Sequence, residues 1–114
     1  MRQYRHDAAT GLRECQWNGP VWPFQTTQAL IGMANLLHDY HQSVVTRSDY
    51  VRLLHQYARL HLQGDTPDLE EDYDPATGQP IVGLPRSHHY NHSGYVDLIV
   101  TGFVGLRPRA DDVL

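Results

Sequence analysis

The feature that most constrains this chain is a helical segment with too much apolar surface for one neighbour. From about Pro23 to His41, Phe24, Leu30, Ile31, Met33, Ala34, Leu36, Leu37 and Tyr40 run nearly all the way round a 3.6-residue wheel. Such a helix expects burial on more than one side. The next segment, about Ser48 to Gln63, is different. Tyr50, Val51, Leu54, Tyr57, Ala58 and Leu62 form one stripe, and Arg52, Gln56, Arg59 and Gln63 fall opposite it at spacings of four, three and four. Thr46 with Asp49 makes a capping box at its start, and Gly64 reads as its C-terminal stop. A third segment, Tyr95 to Leu106, is again apolar nearly all round. Its β-branched Val96, Ile99, Val100 and Val104 leave a buried strand open, but its length favours a helix.

The order is therefore inner, outer, inner. If neighbouring helices run antiparallel, the loop before the first and the long stretch from Asp65 to Gly94 meet at one end. Residues 15–23 and 65–94 would then share a face. Whatever chemistry the chain carries is expected there.

Composition narrows the class. In 114 residues there are 9 Lys+Arg, all of them Arg, against 13 Asp+Glu, a net charge of -4 that gives nucleic acid no basic surface. The absence of Lys removes Schiff-base and P-loop lysine chemistry. Cys15 stands alone, which excludes an internal disulfide and any multi-Cys zinc site. Met1 to Gly11 holds no apolar leader run and no stretch is long enough to span a membrane, so a cytoplasmic protein is expected. The surplus lies in 8 His, 7 Tyr and 2 Trp.

Both Trp, three of the eight His and two of the seven Tyr fall in three loop clusters. Trp17-Asn18-Gly19-Pro20-Val21-Trp22-Pro23 sets two indoles around a Gly-Pro turn. They can stack on the C–H faces of a sugar, or they can staple the loop to the core. Glu70-Glu71-Asp72-Tyr73-Asp74 puts four carboxylates in five positions, open to a general base, a cation site or a solvated acidic turn. An EF-hand fits poorly, because counting from Asp72 puts Gly78 at position seven and Gly83 at position twelve. In His88-His89-Tyr90-Asn91-His92-Ser93, His88 and His92 are four apart, as metal ligands on one helix face would be. A polar network with Ser93 as N-cap accounts for the run better than a metal.

Taken in order, these clusters resemble a known family. The first is similar to the Trp-x-Gly-Pro-x-Trp-Pro loop of (α/α)6-barrel glycosidases of the glycoside hydrolase family 63 type. That group includes mannosylglycerate-hydrolase-like enzymes, with trehalases more distant. Glu71-Asp72-Tyr73-Asp74-Pro75-Ala76-Thr77-Gly78 resembles their Glu-Asn-Tyr-x-Pro-x-Thr-Gly segment, with Asp72 in place of Asn. Tyr90 to Gly102 resembles the last inner helix of the barrel, and Gly105 to Asp112 the exit from it.

The resemblance implies an all-α fold, a partial (α/α)6 toroid of about three helices. Residues 1–114 would form the C-terminal part of a catalytic domain of twelve. It implies an inverting glycosidase acting on α-linked oligosaccharides or small glycosides. Glu71 would be the general base, and Trp17, Asn18, Gly19, Trp22, Tyr73 and His92 would contact substrate. It implies no essential cofactor or metal. The family's general acid is an Asp on an upstream loop, a position that nothing here fills. A non-catalytic carbohydrate-binding module and a metal-binding protein built on the His and acidic runs are the competing readings. Two-sided helices in so short a chain also predict self-association through exposed apolar faces.

Overall fold

The computed structural model describes residues 20–81, 88–90 and 92–108, and over these the chain is all-α with a small β-hairpin. Helix α1 spans Pro23–Asp39 with proline at its first turn, where the missing N–H costs nothing. Helix α2 spans Arg47–Leu60. Its capping box is fully formed: Asp49 N donates to Thr46 Oγ1 at 3.1 Å and Thr46 N donates to Asp49 Oδ2 at 3.0 Å. The third segment is helical, α3 over Gly94–Asp97 continuing as a π-helix over Leu98–Phe103. The buried-strand alternative for its β-branched run is thereby excluded.

Two predicted punctuation marks are corrected. Helix α2 stops at Leu60, with the His61 N–H turned back onto Ala58 and Arg59 carbonyls, before Gly64 is reached. Gly64 instead takes φ +62° in the two-residue turn joining β1 (Leu62–Gln63) to antiparallel β2 (Thr66–Pro67), a turn class that favours positive φ. Ser93 precedes α3 in helical conformation and makes no capping hydrogen bond. His88 lies in a turn before α3, so the pair it forms with His92 shares no helix face.

The core is the meeting of three helices. Leu30 and Ala34 of α1 pack with Tyr50, Leu54 and Tyr57 of α2 and Leu98 of the third helix, and Met33, Leu37, Leu53 and Ile99 close around them. Each buried tyrosine ends on a partner, since an unmet hydroxyl in this core would cost about 1–3 kcal/mol. Tyr57 Oη meets Thr27 Oγ1 at 3.0 Å, and Tyr50 Oη donates to Leu98 O at 2.8 Å. The second contact passes beside Gly102, where any Cβ would collide with the Tyr50 hydroxyl. At the far end, Arg107 reaches Asp39 Oδ2 at 3.1 Å and Asn35 Oδ1 at 2.9 Å, tying the end of the third helix to α1.

The apolar patterning of α1 and the third helix exceeds what these contacts cover. Phe24, Ile31 and Leu36 of α1 and Tyr40 just past it remain exposed, as do Val96, Val100 and Phe103 of the third helix and Val104 just past it. No helix among the described residues is long and apolar enough to cross a membrane.

Candidate active site

The loop before α1 and the acidic segment do meet. Val21 and Tyr73 exchange both backbone hydrogen bonds, at 2.8 and 2.9 Å, and Tyr73 pairs in turn with Pro80. This short ladder fixes residues 70–74 against the start of α1. Beyond it, Asp74 uses one carboxylate oxygen to build the next turn. Oδ1 accepts from Ala76 N at 2.8 Å and Thr77 N at 3.1 Å, and Gly78 closes the turn at φ +69°. The Pro-Ala-Thr-Gly stretch is thus an Asx-type turn that returns the chain to the ladder.

The four carboxylates separate into different roles. Asp72 is buried, and its carbonyl accepts from Ile81 N at 3.0 Å. Glu70 is only 4% exposed and is held at three points. Its N–H donates to Tyr73 Oη at 2.8 Å, its carbonyl lies 3.4 Å from His92 Nε2, and its Oε1 lies 3.1 Å from His88 Nδ1. Glu71, the next residue, is half-buried and lines a cleft of about 670 Å³. The reading as a solvated acidic turn fails for Glu70 and Asp72, which face inward.

That cleft brings together three of the residues singled out by the sequence. Trp22, Glu71 and His92 all line it, with Phe24 and Ile31 of α1 and Tyr90 among the rest of the wall. Trp22 is 8% exposed, so it borders the cleft while burying most of its indole. His92 is half-buried, and burial first of all, with nearby His61 adding to it, pushes its pKa below the usual 6.5 against the opposing pull of the Glu70 carbonyl and Glu71. A neutral imidazole must donate Nε2–H to that carbonyl, which leaves Nδ1 as an acceptor. The ring of Tyr90 lies 5.0 Å from it.

Tyr73 is not on this cleft. It is 0% exposed, and its hydroxyl donates to Leu60 O at 2.7 Å while accepting the Glu70 N–H. Burial pushes its pKa up to about 12, so it stays neutral and donates at any physiological pH. In the fold Tyr73, expected from the sequence to contact substrate, ties the acidic loop to the end of α2. Trp17, Asn18 and Gly19 lie outside the described residues.

A second cleft, of about 510 Å³, adjoins the first and shares Tyr90, His92 and Ser93 with it. Asp68 and His89 line it, with Asp68 Oδ1 and His89 Nδ1 2.8 Å apart. His89 holds φ +54°, a left-handed conformation rare outside glycine and asparagine. The hydrogen bond to Asp68, and then its charge, raises the pKa of this exposed imidazole above 6.5. Asp68 was not singled out from the sequence, and Glu70 was named there only as one carboxylate of the acidic run, not as the hub that holds the loop. The Glu70-Glu71 pair was the available signal, because neighbours in an extended segment point to opposite sides.

Residues 2–93 match the model of the mannosylglycerate hydrolase MGH1-like glycoside hydrolase domain. The chain belongs to that glycoside hydrolase family. Among solved structures it is similar to a chain titled "Sialidase", at 40% identity and a TM-score of 0.81 over 92% of its length. It spans 10% of the length of that chain. No curated protein matches it.

Proposed function

We propose that this chain carries the general-base half of an inverting glycosidase site that hydrolyses α-glycosidic bonds in oligosaccharides or small glycosides. Residues 1–114 are read as the C-terminal part of an (α/α)6 catalytic domain. The observation that carries the reading is the cleft that Glu71, Trp22 and His92 line together. Of the two adjacent glutamates, Glu71 faces solvent space large enough for a sugar unit, whereas Glu70 is engaged in holding the loop.

In single-displacement hydrolysis a carboxylate removes a proton from water as the water attacks the anomeric carbon. An acid across about 6.5–9.5 Å protonates the departing oxygen. Glu71 takes the first role. Its carboxylate abstracts the proton, the C–O bond to water forms on the face opposite the leaving group, and the anomeric configuration inverts. The acid comes from the remainder of the catalytic domain. Trp22, with Trp17, Asn18 and Gly19 ahead of it, forms the wall of the sugar subsite. His92, neutral above its lowered pKa, accepts a sugar hydroxyl at Nδ1.

The exposed apolar residues of α1 and the third helix are read as the faces that the other barrel helices cover, and that make the chain self-associate without them. The test is an assay against α-linked disaccharides with the chain in its full catalytic domain. Activity that falls by several orders of magnitude in Glu71→Gln supports the assignment, and activity retained in that variant removes it. Saturable sugar binding with no product under the same conditions points instead to a non-catalytic carbohydrate-binding module.

A further inference from the structure

We propose that Asp68, Glu70 and His89 form a binding site for a divalent transition-metal ion, with Zn²⁺ the best match to their donors. One ligating atom from each of the three lies within 4.8 Å of the others. Ligands about 2.0–2.2 Å from a tetrahedral zinc stand roughly 3.3–3.6 Å apart, so modest side-chain adjustment closes the set.

A cluster of this kind needs a reason to hold a cation, and Glu70 supplies one. It is 4% exposed, and its Oε2 is buried with no hydrogen-bond partner among the described residues. A buried carboxylate oxygen left unsatisfied is costly, and a ligated ion is one of the few groups that relieves it. The other oxygen, Oε1, already lies 3.1 Å from His88 Nδ1. That is the arrangement of a metal-ligating carboxylate: one oxygen held and oriented by an outer imidazole, the other left to the ion.

On binding, the proton shared between His89 Nδ1 and Asp68 Oδ1, now 2.8 Å apart, leaves to solvent, and the nitrogen lone pair and the carboxylate oxygen both turn to the metal. One imidazole among two carboxylates suits zinc better than the all-oxygen shells of Ca²⁺ or Mg²⁺. Three protein ligands leave a fourth position for water. The ion would clip residues 68–70 to residues 88–89, and so fix the Tyr90–His92 wall that both clefts share. The site does not depend on the glycosidase reading, since it uses neither Glu71 nor Trp22.

The experiment is calorimetric titration of the EDTA-stripped full chain with zinc chloride. Saturable binding of one ion per chain is expected. Asp68→Asn and His89→Ala, both at partly or fully exposed positions, should each weaken it at least about 10-fold. His55→Ala, an exposed histidine outside the cluster, should leave it unchanged. Glu70→Gln, checked for folding by circular dichroism, should weaken it likewise. Absence of saturable binding overturns the proposal, as does wild-type affinity in both Asp68→Asn and His89→Ala. Wild-type affinity in a folded Glu70→Gln, or an equal loss in His55→Ala, overturns the three-ligand site in favour of surface histidines.

Discussion

Helices α1 and α2 are near neighbours in length and share one core, yet they meet solvent differently. Helix α2 buries Tyr50, Leu54 and Tyr57 and turns Arg52, Gln56 and Arg59 outward, so its sequence and its surroundings agree. Helix α1 buries Pro23, Thr27, Leu30 and Ala34 and leaves Phe24, Ile31 and Leu36 exposed. The difference teaches that the apolar pattern of α1 exceeds what its contacts in this fold cover, whereas that of α2 matches them. The third helix repeats the pattern of α1, with Val96 and Val100 outward and Leu98 inward. Both helices that are apolar all round lie against each other, with α2 to one side.

The sharpest way to break that comparison uses two adjacent residues of α1. Leu30 is 0% exposed and Ile31 is 41% exposed. Leu30→Ala should cost about 2–5 kcal/mol in urea unfolding, while Ile31→Ala should stay within roughly 1 kcal/mol. Equal losses would mean that the outward face of α1 is covered in solution. Next in size is the hydroxyl that ties the acidic loop to α2. Tyr73→Phe leaves the Glu70 N–H and the Leu60 carbonyl without their partner and should cost about 1–3 kcal/mol. An unchanged midpoint would show that the loop is held elsewhere.

Thr46→Ala removes one side of the capping box of α2 and should cost about 0.5–2 kcal/mol. The smallest effect is electrostatic. His92 has its pKa lowered in the fold, so its contribution is fully present above the unfolded value near 6.5. It fades as pH falls from there through the folded pKa. His89 has its pKa raised, so its contribution runs the other way, complete below 6.5 and lost as pH climbs through the folded value, and it is small because the ring is exposed. Ring-proton NMR should find the two titrating on opposite sides of 6.5. A shared midpoint would remove the burial argument for His92.

The helices were legible because periodicity and caps are local. The Thr46–Asp49 box and the stripe of α2 need only a few residues each to be read. The shared end of the two loops followed from helix direction alone, and the Val21–Tyr73 ladder is its physical form. What the sequence hid depends on distant partners. Gly64 reads equally well as a helix stop or a hairpin turn, and only the pairing of Leu62 with Pro67 decides. Within the π-helix at Leu98–Phe103, Tyr50 lies against Gly102, a contact between positions far apart in the chain that local pattern does not reveal. Tyr73 is expected as a ligand contact from the sequence because a tyrosine beside an acidic run serves a binding or a structural role equally well. Its burial follows from the Leu60 carbonyl waiting at the end of α2.

The central claim is that Glu71, and not its buried neighbour Glu70, activates water in the cleft. Its direct test is product stereochemistry and rate, followed by NMR, for an α-linked disaccharide with the chain in its full catalytic domain. The account predicts β-configured sugar as the first product, and loss of turnover in Glu71→Gln with the fold intact. First-formed α-sugar, or undiminished turnover in Glu71→Gln, would contradict it.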